Sequence, residues 1–155
     1  CAKIKTIQFL YKFLTKNNVS SVKIFHGQLP QSVRESILNE FRAGKINTLI
    51  STDLTSRGIH IKRIKYVVNY DFPSNLEQYC HRIGRTGRDN NDIGESYSLI
   101  TRNLAPLVED LIGILKSCNQ KIEPNLSELL RQYKNGEVDI TPESEVNNVN
   151  EVEDS

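Results

Sequence analysis

Apolar and polar positions along the chain follow two different periods. From Lys3 to Asn17 the apolar side chains fall at Ile4, Ile7, Leu10, Tyr11 and Leu14, a spacing that predicts an amphipathic helix. Between Ser20 and Gly27 the period drops to two, with Val22, Ile24 and His26 facing one way and Phe25 the other, which predicts a short strand ending at a glycine. A second helix is predicted from about Pro30 to Ala43. Its proline sits in the first turn, where a missing amide hydrogen costs least, and Gly44 stands just past its end. Leu38 and Phe41 anchor its buried face. Ile46 to Thr52 is nearly continuous in apolar character through Leu49 and Ile50, which suits a strand covered on both faces.

After a turn region at Thr55 to Gly58 the same alternation resumes. Tyr66 to Tyr70 reads as a strand closed by Asp71-Phe72-Pro73, Asn75 to Ile83 as a short helix, and Glu95 to Thr101 as another strand. Leu107, Val108, Leu111, Ile112 and Leu115 set a helix over Ala105 to Cys118, and a shorter one follows from Pro124 to Tyr133. Strands alternating with helices predict an α/β fold, a parallel sheet flanked by helices on both faces. Ligands of such sheets gather beyond the carboxyl ends of the strands. The loops at Gly27, at Thr52 to His60 and from Asp71 onward all follow strands, so one edge is expected to carry them together. From Asn135 the pattern lapses into Glu, Asp and Asn with Ile140 and scattered valines, which predicts a domain over residues 1–134 and a disordered acidic tail over residues 135–155.

Charge divides the chain at the same place. The net charge of +1 over 155 residues hides a basic body: residues 1–136 hold all 20 Lys and Arg against 12 Asp and Glu, a net of +8, while residues 137–155 hold 7 acids and no base. A basic domain suits an anionic partner such as nucleic acid. No apolar run approaches the ~18 residues of a membrane span. Cys1, Cys80 and Cys118 form no Cys-x-x-Cys pair and the histidines do not cluster, so neither a disulfide framework nor a metal site is expected, and the setting is expected to be intracellular. A first residue that is Cys instead of Met fits a fragment of a longer protein.

The chemistry concentrates in His81-Arg82-Ile83-Gly84-Arg85-Thr86-Gly87-Arg88, where three guanidinium groups recur at three-residue intervals among two glycines. Taken alone, these residues fit either a phosphate-binding surface or a solvated basic face. Arginine suits phosphate because its planar fork donates paired hydrogen bonds and keeps its charge at any working pH. A Gly-x-Ser-x-Gly turn is lacking, and so is a phosphate-cradling Gly-Lys-Ser/Thr loop, since the one Gly-Lys pair, Gly44-Lys45, is followed by Ile46. The arginines therefore read as half of a site whose other half lies elsewhere.

Thr52-Asp53-Leu54-Thr55-Ser56-Arg57-Gly58-Ile59, followed by the arginine run, resembles motifs V and VI of DEAD-box ATP-dependent RNA helicases. Phe25-His26-Gly27 with Gln31 and Arg34 resembles the strand end and Gln-x-x-Arg element of the same domain, and Asn69-Tyr70-Asp71-Phe72-Pro73 the element between motifs V and VI. The likeness covers roughly residues 1–130. It implies a RecA-like C-terminal helicase domain, with Cys1 just after the family's motif IV strand, so that the first strand lies upstream. It also implies ATP with Mg2+, held mainly by an N-terminal RecA-like domain outside this chain, together with RNA and protein cofactors as partners.

By position, the resemblance makes Arg85 and Arg88 arginine fingers toward the γ-phosphate. It assigns Asp53, Arg57, Gly58, His60, His81 and Arg82 to the ATP side and the interdomain surface. Gly27, Gln31, Arg34 and Thr52 correspond to positions facing the RNA backbone, a role that suits hydroxyl, amide and guanidinium donors. Two alternatives stay open at single residues: Arg82 as an internal ion pair with a residue such as Asp53, and Arg34 as an exposed surface charge. One departure stands out, because His60 occupies the place where the family usually has the Asp that binds the nucleotide ribose. The leading expectation is the C-terminal half of an RNA helicase; the alternative is a non-catalytic helicase-like module that binds RNA or protein.

Overall fold

The computed structural model describes residues 1–53, 64–87, 93–138 and 140. In chain order the elements are α1 (Ile4–Lys16), β1 (Val22–Phe25), α2 (Gln31–Arg42), β2 (Thr48–Ser51), β3 (Tyr66–Asn69), α3 (Leu76–Ile83), β4 (Glu95–Ser98), a 3-10 helix (Arg102–Leu107), α4 (Val108–Ser117) and α5 (Pro124–Lys134). Every element predicted from periodicity is present, with strands trimmed at their ends. The one change in kind lies at the helix expected from Ala105. Pro106 has no amide hydrogen and its ring crowds the preceding turn, so the chain there is a 3-10 turn and the regular helix starts at Val108.

Four helices stop in the same way. A left-handed residue follows each of α1, α2, α4 and α5, namely Asn18, Gly44, Asn119 and Gly136, with φ between 52° and 71°. After α2, for example, the Gly44 amide donates to the Phe41 carbonyl and the Lys45 amide to the Glu40 carbonyl. This pair of bonds satisfies carbonyls that the helix end leaves without partners.

The described residues group into two compact units, Cys1–Pro73 with Glu77–Leu99, and Ser74–Leu76 with Ile100–Ser155. In the first, β1 and β2 pair in parallel with Ile24 opposite Ile50, and β3 and β4 pair in parallel with Asn69 opposite Ser98. Both pairings are parallel, as expected, but among the described residues the strands form two pairs and not one continuous ladder. Helices cover both faces of the β1–β2 pair. On one face Ile7, Leu10 and Leu14 of α1 pack on Val22, Ile24 and Ile50; on the other, Ile37, Leu38 and Phe41 of α2 pack on Phe25, Ile46 and Leu49. The period-two split between Val22/Ile24 and Phe25 thus decides which helix each side chain meets.

In the second unit Ala105, Val108, Leu111 and Ile112 are buried, and Lys134 Nζ of α5 donates to Glu109 Oε1 of α4 at 2.6 Å. Most of the acidic segment lies outside the described residues. Among those described, no helix is long and apolar enough to cross a membrane.

Candidate functional site

The strand ends collect the polar residues. His26 and Gly27 follow β1, and a Leu29 amide to His26 carbonyl bond closes the turn that carries Gly27. Thr52 follows β2 and is buried, its amide bonded to the Phe25 carbonyl, so Thr52 and His26 lie at neighbouring strand ends. On the first turns of α2, Arg34 Nη2 donates to Gln31 Oε1 at 2.6 Å, and Gln31 Nε2 donates to Glu35 Oε1 at 2.7 Å. Two buried nitrogens there, His26 Nδ1 and Arg34 Nε, have no hydrogen-bond partner among the described residues. Buried polar atoms are normally bonded, so these two nitrogens stand out at this corner of the strand edge.

Arg82 of the arginine run is held on every guanidinium nitrogen. Its Nε and Nη2 reach Asp53 Oδ1 and Oδ2 at 2.5 and 2.6 Å, and its Nη1 reaches the Asp71 carbonyl at 2.6 Å. The side chain is 10% exposed against 37% for Asp53. One guanidinium thereby ties α3 to the chain leaving β2 and to the chain leaving β3. Phe72 makes this reach feasible: it stacks on Tyr79 of α3 with ring centroids 5.2 Å apart, both rings buried, one turn before Arg82. Asp71 works from its other end as well, since Oδ2 accepts the Ala2 amide at 2.9 Å.

Three residues on, Arg85 is half-buried and donates Nε to the His81 carbonyl, while His81 is exposed. His81, Arg82 and Arg85 line one end of a cavity of about 550 Å³. Thr86 fastens the run to the approach to β3, its hydroxyl donating to the Ile64 and Lys65 carbonyls. Gly94 passes so close to this turn that a Cβ there would meet the Gly87 amide nitrogen at 2.4 Å, which explains the glycine before β4. Arg57, Gly58, His60 and Arg88 lie outside the described residues. No group of three or more His, Cys, Asp and Glu capable of holding a metal occurs among the described residues.

Sequence reasoning weighed the Arg82–Asp53 pair and left it open; it had no signal for the Asp71 carbonyl or for Phe72 on Tyr79. It placed Asn69 in the element between motifs V and VI without a role; the residue is buried and donates to Ser98 Oγ across β3 and β4.

The first unit is thus a parallel α/β layer with polar side chains at its strand ends and part of an arginine run docked beside them. The model of the helicase conserved C-terminal domain matches residues 1–90. ATP-dependent RNA helicase p62 of Drosophila melanogaster is 47% identical over 109 residues, 70% of this chain and 15% of that protein. Among solved structures, the yeast DEAD-box splicing factor Prp28 superposes with a TM-score of 0.76 at 27% identity, over 83% of this chain and 29% of that one. The C-terminal domain of the DEAD-box protein Dbp5 matches with a TM-score of 0.62 at 33% identity, over 79% of this chain and 68% of that one. The chain belongs to the helicase conserved C-terminal domain family, as the RecA-like C-terminal domain of a DEAD-box protein. It spans less than a quarter of the length of the curated relatives.

Proposed function

We propose that this chain is the C-terminal half of an ATP-dependent RNA helicase and acts only together with an N-terminal RecA-like domain of the longer protein. That domain binds ATP with Mg2+; this chain presents Arg85 and Arg88 to the γ-phosphate across the cleft. Guanidinium groups aimed at charge that develops during phosphoryl transfer contribute about 10³ to 10⁵ in rate in related systems. Asp53, Arg57, Gly58, His60, His81 and Arg82 form the ATP-side and interdomain surface. Gly27, Gln31, Arg34 and Thr52 bind the RNA backbone without reading bases, and the closing of the two domains on it separates short duplexes locally.

The observation that carries this reading is the division of labour within the run. Asp53 and Asp71 engage Arg82 on every nitrogen, which makes it a positioning residue. Arg85, three residues on and past the end of α3, lines the cavity. In the longer protein, Arg85→Ala and Arg88→Ala are each expected to reduce RNA-stimulated ATP hydrolysis by about 10³-fold or more while RNA affinity changes little. Loss of RNA binding in step with hydrolysis would overturn the finger assignment, and a parent protein with no hydrolysis would leave the binding-module reading.

A further inference from the structure

Helix α1 is apolar on two sides. Ile7, Leu10 and Leu14 face the β1–β2 pair, and at about 3.6 residues per turn the opposite side carries Lys5, Phe9, Lys12, Phe13 and Lys16. All five are exposed, Phe9 by 58% and Phe13 by 53%. The outward side of a surface helix is ordinarily polar, and scattered apolar residues there mean little. These two are not scattered. Their rings stack on one another, centroids 6.3 Å apart and planes at 22°, while more than half of each side chain stays open to solvent.

The charge around the rings has one sign. Lys5, Lys12 and Lys16 interleave with them and form no ion pair among the described residues. Residues 1–34 hold Lys3, Lys5, Lys12, Lys16, Lys23 and Arg34 and no Asp or Glu. From Lys5 to Lys16 the stripe is about 16 Å long at ~1.5 Å per residue, the length of about four or five nucleotides of one strand. Its position is as informative as its composition. The Cys1 nitrogen donates to the Ser51 carbonyl at the carboxyl end of β2, so α1 starts beside the edge that carries Thr52, and the turn after Lys16 returns the chain to the amino end of β1. The stripe therefore leads away from the strand-end edge along the flank of the unit.

We infer that the outer stripe of α1 is a second contact for single-stranded RNA, taking up the strand where it leaves the strand ends. Bases stack on the Phe9 and Phe13 rings, and Lys5, Lys12 and Lys16 bind the phosphates. Rings serve any base, because every base has a flat face, and a row of cations follows the backbone, so the contact carries no sequence code. Continuity with the strand-end edge and the absence of any acid favour RNA over an acidic polypeptide, which would need a groove of its own to take up so convex a ridge. The inference adds a site to the proposed function. It relies on RNA binding at the strand ends only for the direction of the path, and makes no use of Arg85 or Arg88.

Affinity of the longer protein for oligouridylates of about 6 and about 20 nucleotides, read by fluorescence anisotropy, tests it, the short strand being sufficient for the strand ends alone. Phe9→Ala with Phe13→Ala is expected to weaken the long strand about 10-fold or more and the short one less than about 2-fold. Phe9→Tyr with Phe13→Tyr should keep the parent affinity. Phe9→Leu with Phe13→Leu should lose as much as the alanines, because leucine keeps apolar bulk without a ring face. Lys5→Gln, Lys12→Gln and Lys16→Gln together should lower the slope of log affinity against log salt by about two on the long strand. Unchanged long-strand affinity in the alanine or glutamine variants, equal losses on both lengths, or full affinity with the leucines would each overturn the inference; the last would mark an apolar ridge for a protein partner. Arg34→Ala keeps the two readings apart. It should weaken both lengths, and if it weakens neither while the Phe9 and Phe13 variants still weaken the long strand, the strand-end contacts fail and the α1 stripe stands.

Discussion

Arg82 turns a surface-coded residue into an internal strut. All three of its guanidinium nitrogens bond to this chain's own oxygens, and its side chain is nine-tenths covered, so the charge is directed inward. Breaking one partner of a fully buried pair costs about 3–5 kcal/mol; Asp53 keeps 37% of its exposure, which lets water replace part of the lost bonding. Asp53→Ala is therefore expected to lower stability by about 1–3 kcal/mol in urea unfolding. Arg82→Lys should lose nearly as much, because an ammonium cannot make the paired fork to one carboxylate and reach the Asp71 carbonyl as well. A loss within ~0.5 kcal/mol for both, the range of an ordinary surface pair, would contradict the strut. The spacing of arginines announced a shared chemistry for Arg82, Arg85 and Arg88. It did not announce that Arg82 is withdrawn from it, since the partners, Asp53 and the Asp71 carbonyl, stand 29 and 11 residues away in sequence.

The elements were legible because each is governed by local rules. Periods near 3.6 and 2 located the helices and strands, and Gly44 marked the end of α2. Gly44 adopts φ +71° and a Cβ there would meet nothing within 4 Å, so a substitution costs backbone strain alone. Gly44→Ala should destabilise by about 1 kcal/mol in thermal or urea unfolding, with the fold unchanged by NMR fingerprint. A neutral result would mean that α2 frays before this turn. At Asn18 and Asn119, where asparagine holds the same conformation, substitution by glycine is expected to be neutral or mildly stabilising. The start of the helix over Ala105 was misjudged by apolar spacing alone, although Pro106 was visible in the sequence, because the spacing rule ignores the missing amide.

For the whole molecule the basic body and acidic end set the long-range field. A chain ending at Gly136 keeps the net +8 and loses 7 acids, so its affinity for single-stranded RNA, read by fluorescence anisotropy, should rise at low salt, with the difference shrinking as salt shortens the Debye length below ~10 Å. Equal affinities at low salt would show that the acidic end does not compete for the basic face. The sequence by itself determined the α/β alternation, the helix ends, the charge division and the family, since these rest on local spacing and residue chemistry. Only the tertiary structure decided that Arg82 braces the strand ends from within, that Phe72 stacks on Tyr79 beside it, and that the described strands stand as two parallel pairs. Each of those depends on residues far apart in the chain meeting through packing and backbone hydrogen bonds, which no spacing rule encodes.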